Sequence, residues 1–296
     1  MSGPIPRISA VLTTFRRPQA AAQAVASILA SRHDSFELVL VDQNSDDVSR
    51  NALGDLLSDP RLRYLRSEPC GLSAARNRAT AVARAELIAC TDDDCEVEPG
   101  WLAAMEQAFA SEAAPDLVLG QVKACKHDQA AGFVPACPRP ASRLTTTLEE
   151  RPEIDVMGAC MGIRRSVWAE LGGFTEWIGP GMDPPAGDDF DIVVRALLAG
   201  HRVLEAPGPV VIHHGFRTWA EGLPLIDGYT RSTATVVGVR LRGRPMLLAR
   251  CLVTLGWSFL QSRSAVITSA RIVGGRGRRL VRFVRGLADG LLTARP

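Results

Sequence analysis

Lysine is almost missing from this 296-residue chain. Only Lys123 and Lys126 stand beside the arginines among 34 basic residues, a bias expected of a GC-rich genome. The seven cysteines are odd in number and scattered, with no C-x-x-C pair, which argues against a disulfide framework and fits a reducing cytoplasm. Cys125, His127 and Cys137 match no common zinc spacing. No apolar stretch is long enough to span a membrane, which takes roughly 20 residues. The best of them, 245–261, is interrupted by Arg250. The opening "MSGPIPRISAVLTTF" has no long apolar core behind a basic region, so no signal peptide is expected.

What remains is the composition of a folded globular protein, 46% apolar and 22% charged. The net charge of +2 hides an asymmetry. From residue 239 onward twelve arginines face one acid, Asp289, for +11, while the preceding chain holds 22 bases and 31 acids, for −9. A basic tail on an acidic body suggests that the tail meets an anionic surface. No nucleic-acid partner is expected.

The first 125 residues alternate regularly. Apolar runs of strand length at 8–12, 38–41, 62–65, 87–90 and 117–122 are separated by helical patterns at 19–30, 48–57, 72–85 and 101–110. Continuous apolar strands alternating with helices predict a mostly parallel sheet covered on both faces, an α/β Rossmann-like fold. Such sheets bind ligands beyond the carboxyl ends of their strands. The polar clusters "TTFRR", "DQNSDD" and "TDDDC" all fall there. The chain divides into a first half at about 1–125, a second half at about 126–238, and a basic helical tail at 239–296. In the second half, "HRVLEAPGPVVIHHG" reads as two short strands ending in paired histidines, and Asp188 and Asp189 stand at the start of a helix closed by Gly200. In the tail, Leu280, Phe283, Val284, Leu287 and Leu291 share one helical face, with arginines mostly off it. Such a helix either packs on the domain or lies on an anionic membrane.

Three adjacent carboxylates, Asp92, Asp93 and Asp94, at the tip of a strand repel one another unless a cation neutralises them. Hard divalent ions take oxygen ligands, often one or two carboxylates together with substrate phosphates. The structural alternative is a solvated turn with an aspartate capping the helix that starts near Trp101.

Seven motifs in order resemble the family 2 glycosyltransferases: "SAVLTTFRRP", "FELVLVDQNSDD", "GLSAARNRA", "ELIACTDDDCEVEPGW", "GACMGIRRSVWAELGGF", "GDDFDIVVRAL" and "VVIHHG". The resemblance covers residues 8–215. It implies the GT-A nucleotide-sugar-binding fold and an inverting transfer from a nucleoside-diphosphate sugar to an acceptor hydroxyl. By position, Asp94 binds the metal, with His213 as the favoured second ligand and His214 beside it. Asp92, Asp93, Thr13, Asp42 and Arg76 would contact the donor. Gln43 stands where family members often have an aspartate that reads uracil, so the base, uracil, thymine or guanine, is left open. The resemblance implies that Asp189 is the base, with Asp188 replacing a family glutamate and Asp191 supporting. It further implies Mn²⁺ or Mg²⁺ as cofactor, imidazole favouring Mn²⁺. The acceptor would be a glycan or lipid-linked sugar of the cell envelope, assembled in the cytoplasm or on the inner face of the membrane.

Two other readings share the fold. A sugar nucleotidyltransferase would begin with a Gly-rich phosphate loop, but "TTFRRP" contains no glycine. A non-catalytic scaffold would be expected to lose the base or the metal aspartate, and both are present.

Overall fold

The computed structural model describes residues 4–151, 154–261 and 276–293. Within the tail, 262–275 and 294–296 lie outside the described residues. The first half runs β1 (Ile8–Thr14), α1 (Pro18–Leu29), β2 (Phe36–Asp42), α2 (Val48–Leu53), β3 (Leu62–Arg66), α3 (Leu72–Val82), β4 (Leu87–Asp92), β5 (Cys95–Val97), α4 (Trp101–Phe109) and β6 (Leu117–Ala124). Each run expected to be a strand is one, and each helical pattern holds a helix. The pattern at 48–57 ends in a 3₁₀ turn, Gly54–Ser58, because Gly54 takes a positive φ. The second half adds β7 (Gly132–Phe133), β8 (Arg143–Thr145), β9 (Met161–Arg164), α5 (Arg165–Glu170), α6 (Asp188–Leu198), β10 (Val203–His213), β11 (Arg217–Thr218), α7 (Trp219–Leu241), α8 (Pro245–Gln261) and α9 (Arg276–Leu292).

The main sheet has the order β3-β2-β1-β4-β9-β6-β10-β5, with β8 also paired to β10. Strands β3, β2, β1 and β4 are parallel, and so are β6 and β10. β9 is antiparallel between β4 and β6. Strands β1, β2 and β4 are buried on both faces, as their apolar runs predicted, while the edge strand β3 is only half-buried. Ile8, Ala10 and Leu12 of β1 join the α1 and α4 side, with Trp101, while Val11 joins the α3 and α6 side, with Ala75. The stretch expected to form two short strands is the single strand β10. Its register shifts between Glu205 and Val210, where Pro207 and Pro209 cannot donate ladder hydrogen bonds.

The boundary expected after residue 238 falls inside α7. Helix α9 packs along α7 through glycines: an added Cβ at Gly290 would lie 2.3 Å from the Thr235 carbonyl oxygen, and one at Gly286 2.2 Å from that of Arg231. Arg231 donates to Asp289 at 3.1 Å, and Arg282 faces Asp227 at 3.7 Å. Of the expected apolar stripe, Phe283 and Leu287 pack on the domain, whereas Leu280, Val284 and Leu291 face solvent. No helix among the described residues is long and apolar enough to cross a membrane.

Candidate active site

The carboxyl ends of β1, β2 and β4 and the amino end of α6 meet in one cleft. Parallel pairing sets the first three side by side: Thr13 is in register with Asp92, and Thr14 with Asp42. After β4 the chain turns through Asp93 and Asp94 into β5, which pairs with β10 and brings Cys95 opposite His213. Sheet topology therefore carries the aspartate triplet to the paired histidines, more than a hundred residues away in sequence.

Only one of those histidines faces the triplet. His213 is buried, and its Nε2 lies 3.3 Å from Asp94 Oδ1. Its Nδ1 lies 2.9 Å from the Pro135 carbonyl oxygen, which can only accept, so the neutral ring carries its lone pair on Nε2, toward Asp94. His214 points outward to Glu96 at 3.4 Å. Burial alone would raise the Asp94 carboxyl, but His213 and Arg17 outweigh it and hold the group down at about 2. For His213, burial is outweighed by Asp94, and the imidazole pKa is raised. Gly215 closes over the pair: a Cβ there would sit 2.6 Å from His213 Nε2 and 2.9 Å from Asp94 Oδ2. Carboxylate oxygen and imidazole nitrogen facing one another form a donor set that fits a divalent ion, Mn²⁺ better than Mg²⁺. The Cys95 thiol lies within reach of the same pair, and burial raises its pKa well above the ordinary value.

Asp93 accepts from Thr14 Oγ1 at 2.8 Å and from Arg17 Nη1 at 3.0 Å. Burial, against both partners, pushes its carboxyl up to about 6. The same Arg17 nitrogen donates to Asp94 Oδ2 at 2.7 Å. Arg17 was missed in the sequence, although Pro18 at the first position of α1 marks Arg17 as the residue at the helix entrance.

Arg76, expected to face the donor, is buried in α3 and bridges two carboxylate groups. Its Nη2 donates to Asp92 at 2.6 Å and its Nη1 to Asp188 at 2.9 Å. It thereby joins the triplet to the second acidic motif. Next to Asp188, Asp189 accepts from the Gly158 N–H at 2.8 Å and the Phe190 N–H at 2.7 Å. Burial raises both carboxyls; the charge of Asp189 adds to it at Asp188, which reaches about 7, and that of Asp92 adds to it at Asp189. Asp191 supports the helix: it accepts from Thr175, Arg195 and Arg240 and so ties α6 to α7.

Asp42, expected near the donor base, has both oxygens taken. Oδ1 accepts from Asn44 and Ser49 and Oδ2 from Tyr64, so the group holds its own loop. Gln43 Oε1 accepts from the Cys70 N–H at 3.0 Å, which leaves the amide NH₂ of this buried residue to be offered. Thr13 is buried at the end of β1. A cleft of about 390 Å³ opens between the 180s loop and α7, lined by Pro185, Arg217, Glu221, Leu225 and Tyr229.

The mostly parallel sheet, with an acidic turn after its fourth strand and a carboxylate at a helix start across from it, has the GT-A fold. The profile described as "Glycosyl transferase family 2" matches residues 9–172, and the chain belongs to that family. It is 29% identical over 276 residues to the O-antigen biosynthesis protein RfbC of Myxococcus xanthus, covering 79% of this chain and 21% of RfbC. To the putative colanic acid biosynthesis glycosyl transferase WcaA of Escherichia coli K12 it is 33% identical over 99 residues, covering 33% of this chain and 36% of WcaA. The chain thus spans about a fifth and about a third of these two relatives. Among solved structures, the mannosyltransferase PcManGT from Pyrobaculum calidifontis, in complex with GDP-Man and Mn²⁺, superposes with a TM-score of 0.62 at 16% identity, covering 99% of this chain and 89% of that one. S. aureus TarS 1-349 in complex with UDP-GlcNAc gives 0.63 at 14% identity, covering 96% and 89%.

Proposed function

We propose that this chain is an inverting, metal-dependent glycosyltransferase of hexosyl or deoxyhexosyl type. It would move a sugar from a nucleoside-diphosphate sugar to an acceptor hydroxyl during synthesis of a cell-envelope polysaccharide or glycolipid. The observation that carries the reading is the arrangement around Arg76. One side holds the Asp94–His213 donor pair, and the other holds Asp189, fixed by two backbone N–H groups.

Asp189 takes the proton from the acceptor hydroxyl. Its two N–H bonds aim the carboxylate, and its raised pKa suits a group that must accept a proton. No nucleophile is needed for a direct displacement, which inverts the anomeric centre. Asp94 and His213 would hold the divalent ion, which when bound supplies charge neutralisation for the departing nucleoside diphosphate. Asp93, Asp92 and Thr13 sit where the donor would lie, and Arg76 holds the triplet and the base-bearing helix in register. Gln43 offers N–H rather than oxygen, so a base with a carbonyl there, uracil, thymine or guanine, fits it. The cleft beside Tyr229 would take the glycan or lipid-linked acceptor.

Support for the donor class comes from relatives: PcManGT was solved with GDP-Man and Mn²⁺ and TarS with UDP-GlcNAc. Support for an envelope product comes from RfbC and WcaA. A cytoplasmic enzyme fits these, with the exposed apolar and basic flank of α9 resting on the inner face of the membrane. The test is calorimetric titration with UDP, dTDP and GDP, each with and without Mn²⁺. We expect Mn²⁺-dependent binding of one nucleotide, abolished by Asp94→Ala. A folded protein that binds none of them sinks the reading.

A further inference from the structure

Arg17 spans the two carboxylates at the mouth of the site, and one of its contacts is on the residue read above as the metal ligand. Its Nη1 lies 2.7 Å from Asp94 Oδ2 and 3.0 Å from Asp93 Oδ1, while the other Asp94 oxygen faces His213. A guanidinium stays charged at any working pH. A guanidinium at this distance and a divalent ion on the same carboxylate would stand only a few ångströms apart, and two positive charges so placed repel strongly. They compete for Asp94.

We infer that Arg17 is an exchanging counter-ion. It neutralises Asp93 and Asp94 until the metal binds, then passes to the diphosphate of the donor and clamps it. Three observations carry this. The side chain is 44% exposed, so it has room to swing on its flexible stem, unlike buried Arg76. Arg17 is the residue just before α1, at the carboxyl end of β1, and so at the cleft where the diphosphate must reach Asp94. Nη1 alone meets both carboxylates, and the planar fork of a guanidinium suits paired phosphate oxygens. The other arginine acting on Asp94, Arg217, has Nη1 bonded to the Phe216 carbonyl and does not touch the aspartates. The inference rests on the metal reading of Asp94 and His213, and it explains how three aspartates can wait side by side for an ion.

Mn²⁺ affinity of the full chain, stripped with chelator and measured by electron paramagnetic resonance without nucleotide, separates the possibilities. Arg17→Gln is expected to bind Mn²⁺ about fivefold tighter or more, and to bind the cognate nucleoside diphosphate at saturating Mn²⁺ about fivefold weaker or more. The nucleoside monophosphate, which lacks the second phosphate, should lose less. Arg17→Lys keeps a charge without the fork and should fall between the two. Unchanged or weaker Mn²⁺ binding by Arg17→Gln, in protein with an unchanged thermal midpoint, overturns the inference and leaves the metal reading standing. Equal Mn²⁺ binding by wild type and Asp94→Ala removes the metal reading and the inference with it.

Discussion

Asp94 and Asp189 line one cleft, yet their surroundings drive them in opposite directions. His213 and Arg17 hold Asp94 ionised down to about 2, whereas burial, helped by the charge of Asp92, raises Asp189. A ligand that must stay charged and a base that must accept a proton need that split. Asp189→Asn should lower kcat by about 10²–10⁴-fold and leave Mn²⁺-dependent nucleotide binding in place. The base works ionised, so activity should be lost as pH falls through its raised pKa. The acid limb of the kcat/KM profile is then expected well above the ordinary carboxylate value of about 4. A limb at about 4 would remove Asp189 from the role. The aspartate triplet was legible because charge repulsion makes three adjacent acids conspicuous. Gly215 was not, since a lone glycine carries no pattern, and Arg17 stood inside the cluster "TTFRR" with only the following Pro18 to set it apart from Arg16. The orientation of Gln43 was hidden for another reason: it is set by the N–H of Cys70, 27 residues further along.

At the scale of elements, β1, β2 and β4 were readable because they are largely buried on both faces and so nearly continuously apolar, whereas the edge strand β3 is only half-buried and carries two arginines. Strand order was less so. Nothing local in "MGIR" says that β9 will enter antiparallel between β4 and β6. That insertion sets Gly158, just before β9, where its N–H meets Asp189. Arg76 performs the matching task from α3. Replacing it with methionine would leave buried Asp188 uncompensated, at an expected cost of about 3–5 kcal/mol in urea unfolding. A loss below about 1 kcal/mol, the range of a surface pair, would show that the bridge is not structural. Gly290→Val tests the other close contact. With a carbonyl oxygen 2.3 Å from the position of an added Cβ, α9 cannot seat without shifting. A cost of about 1–3 kcal/mol and a lower thermal midpoint are expected.

Across the whole molecule charge is sorted, with an acidic body and a basic tail, and the tail does not hang free. Helix α9 docks on α7, and α7 is bound to the base-bearing helix through Arg240 and Asp191. Even so, Leu280, Val281, Val284 and Leu292 remain more than half exposed on α9, with Arg285 also exposed. Packing against the domain and contact with a lipid surface are therefore compatible, where the sequence alone set them against each other. Sedimentation with vesicles should show binding to anionic but not neutral lipid, weakened by salt and by Leu280→Glu with Val284→Glu. Equal recovery from both vesicle types would end the membrane reading.

The glycine seam between α7 and α9 also limits how far the enzyme can be trimmed. A chain ended at residue 238 would keep every residue of the cleft and satisfy any search for motifs. It would also strip the covering helix from the groove along α7 and expose Val236 and Val237, now buried, near its new end. The smallest stable unit is set by that seam, not by the reach of the family motifs.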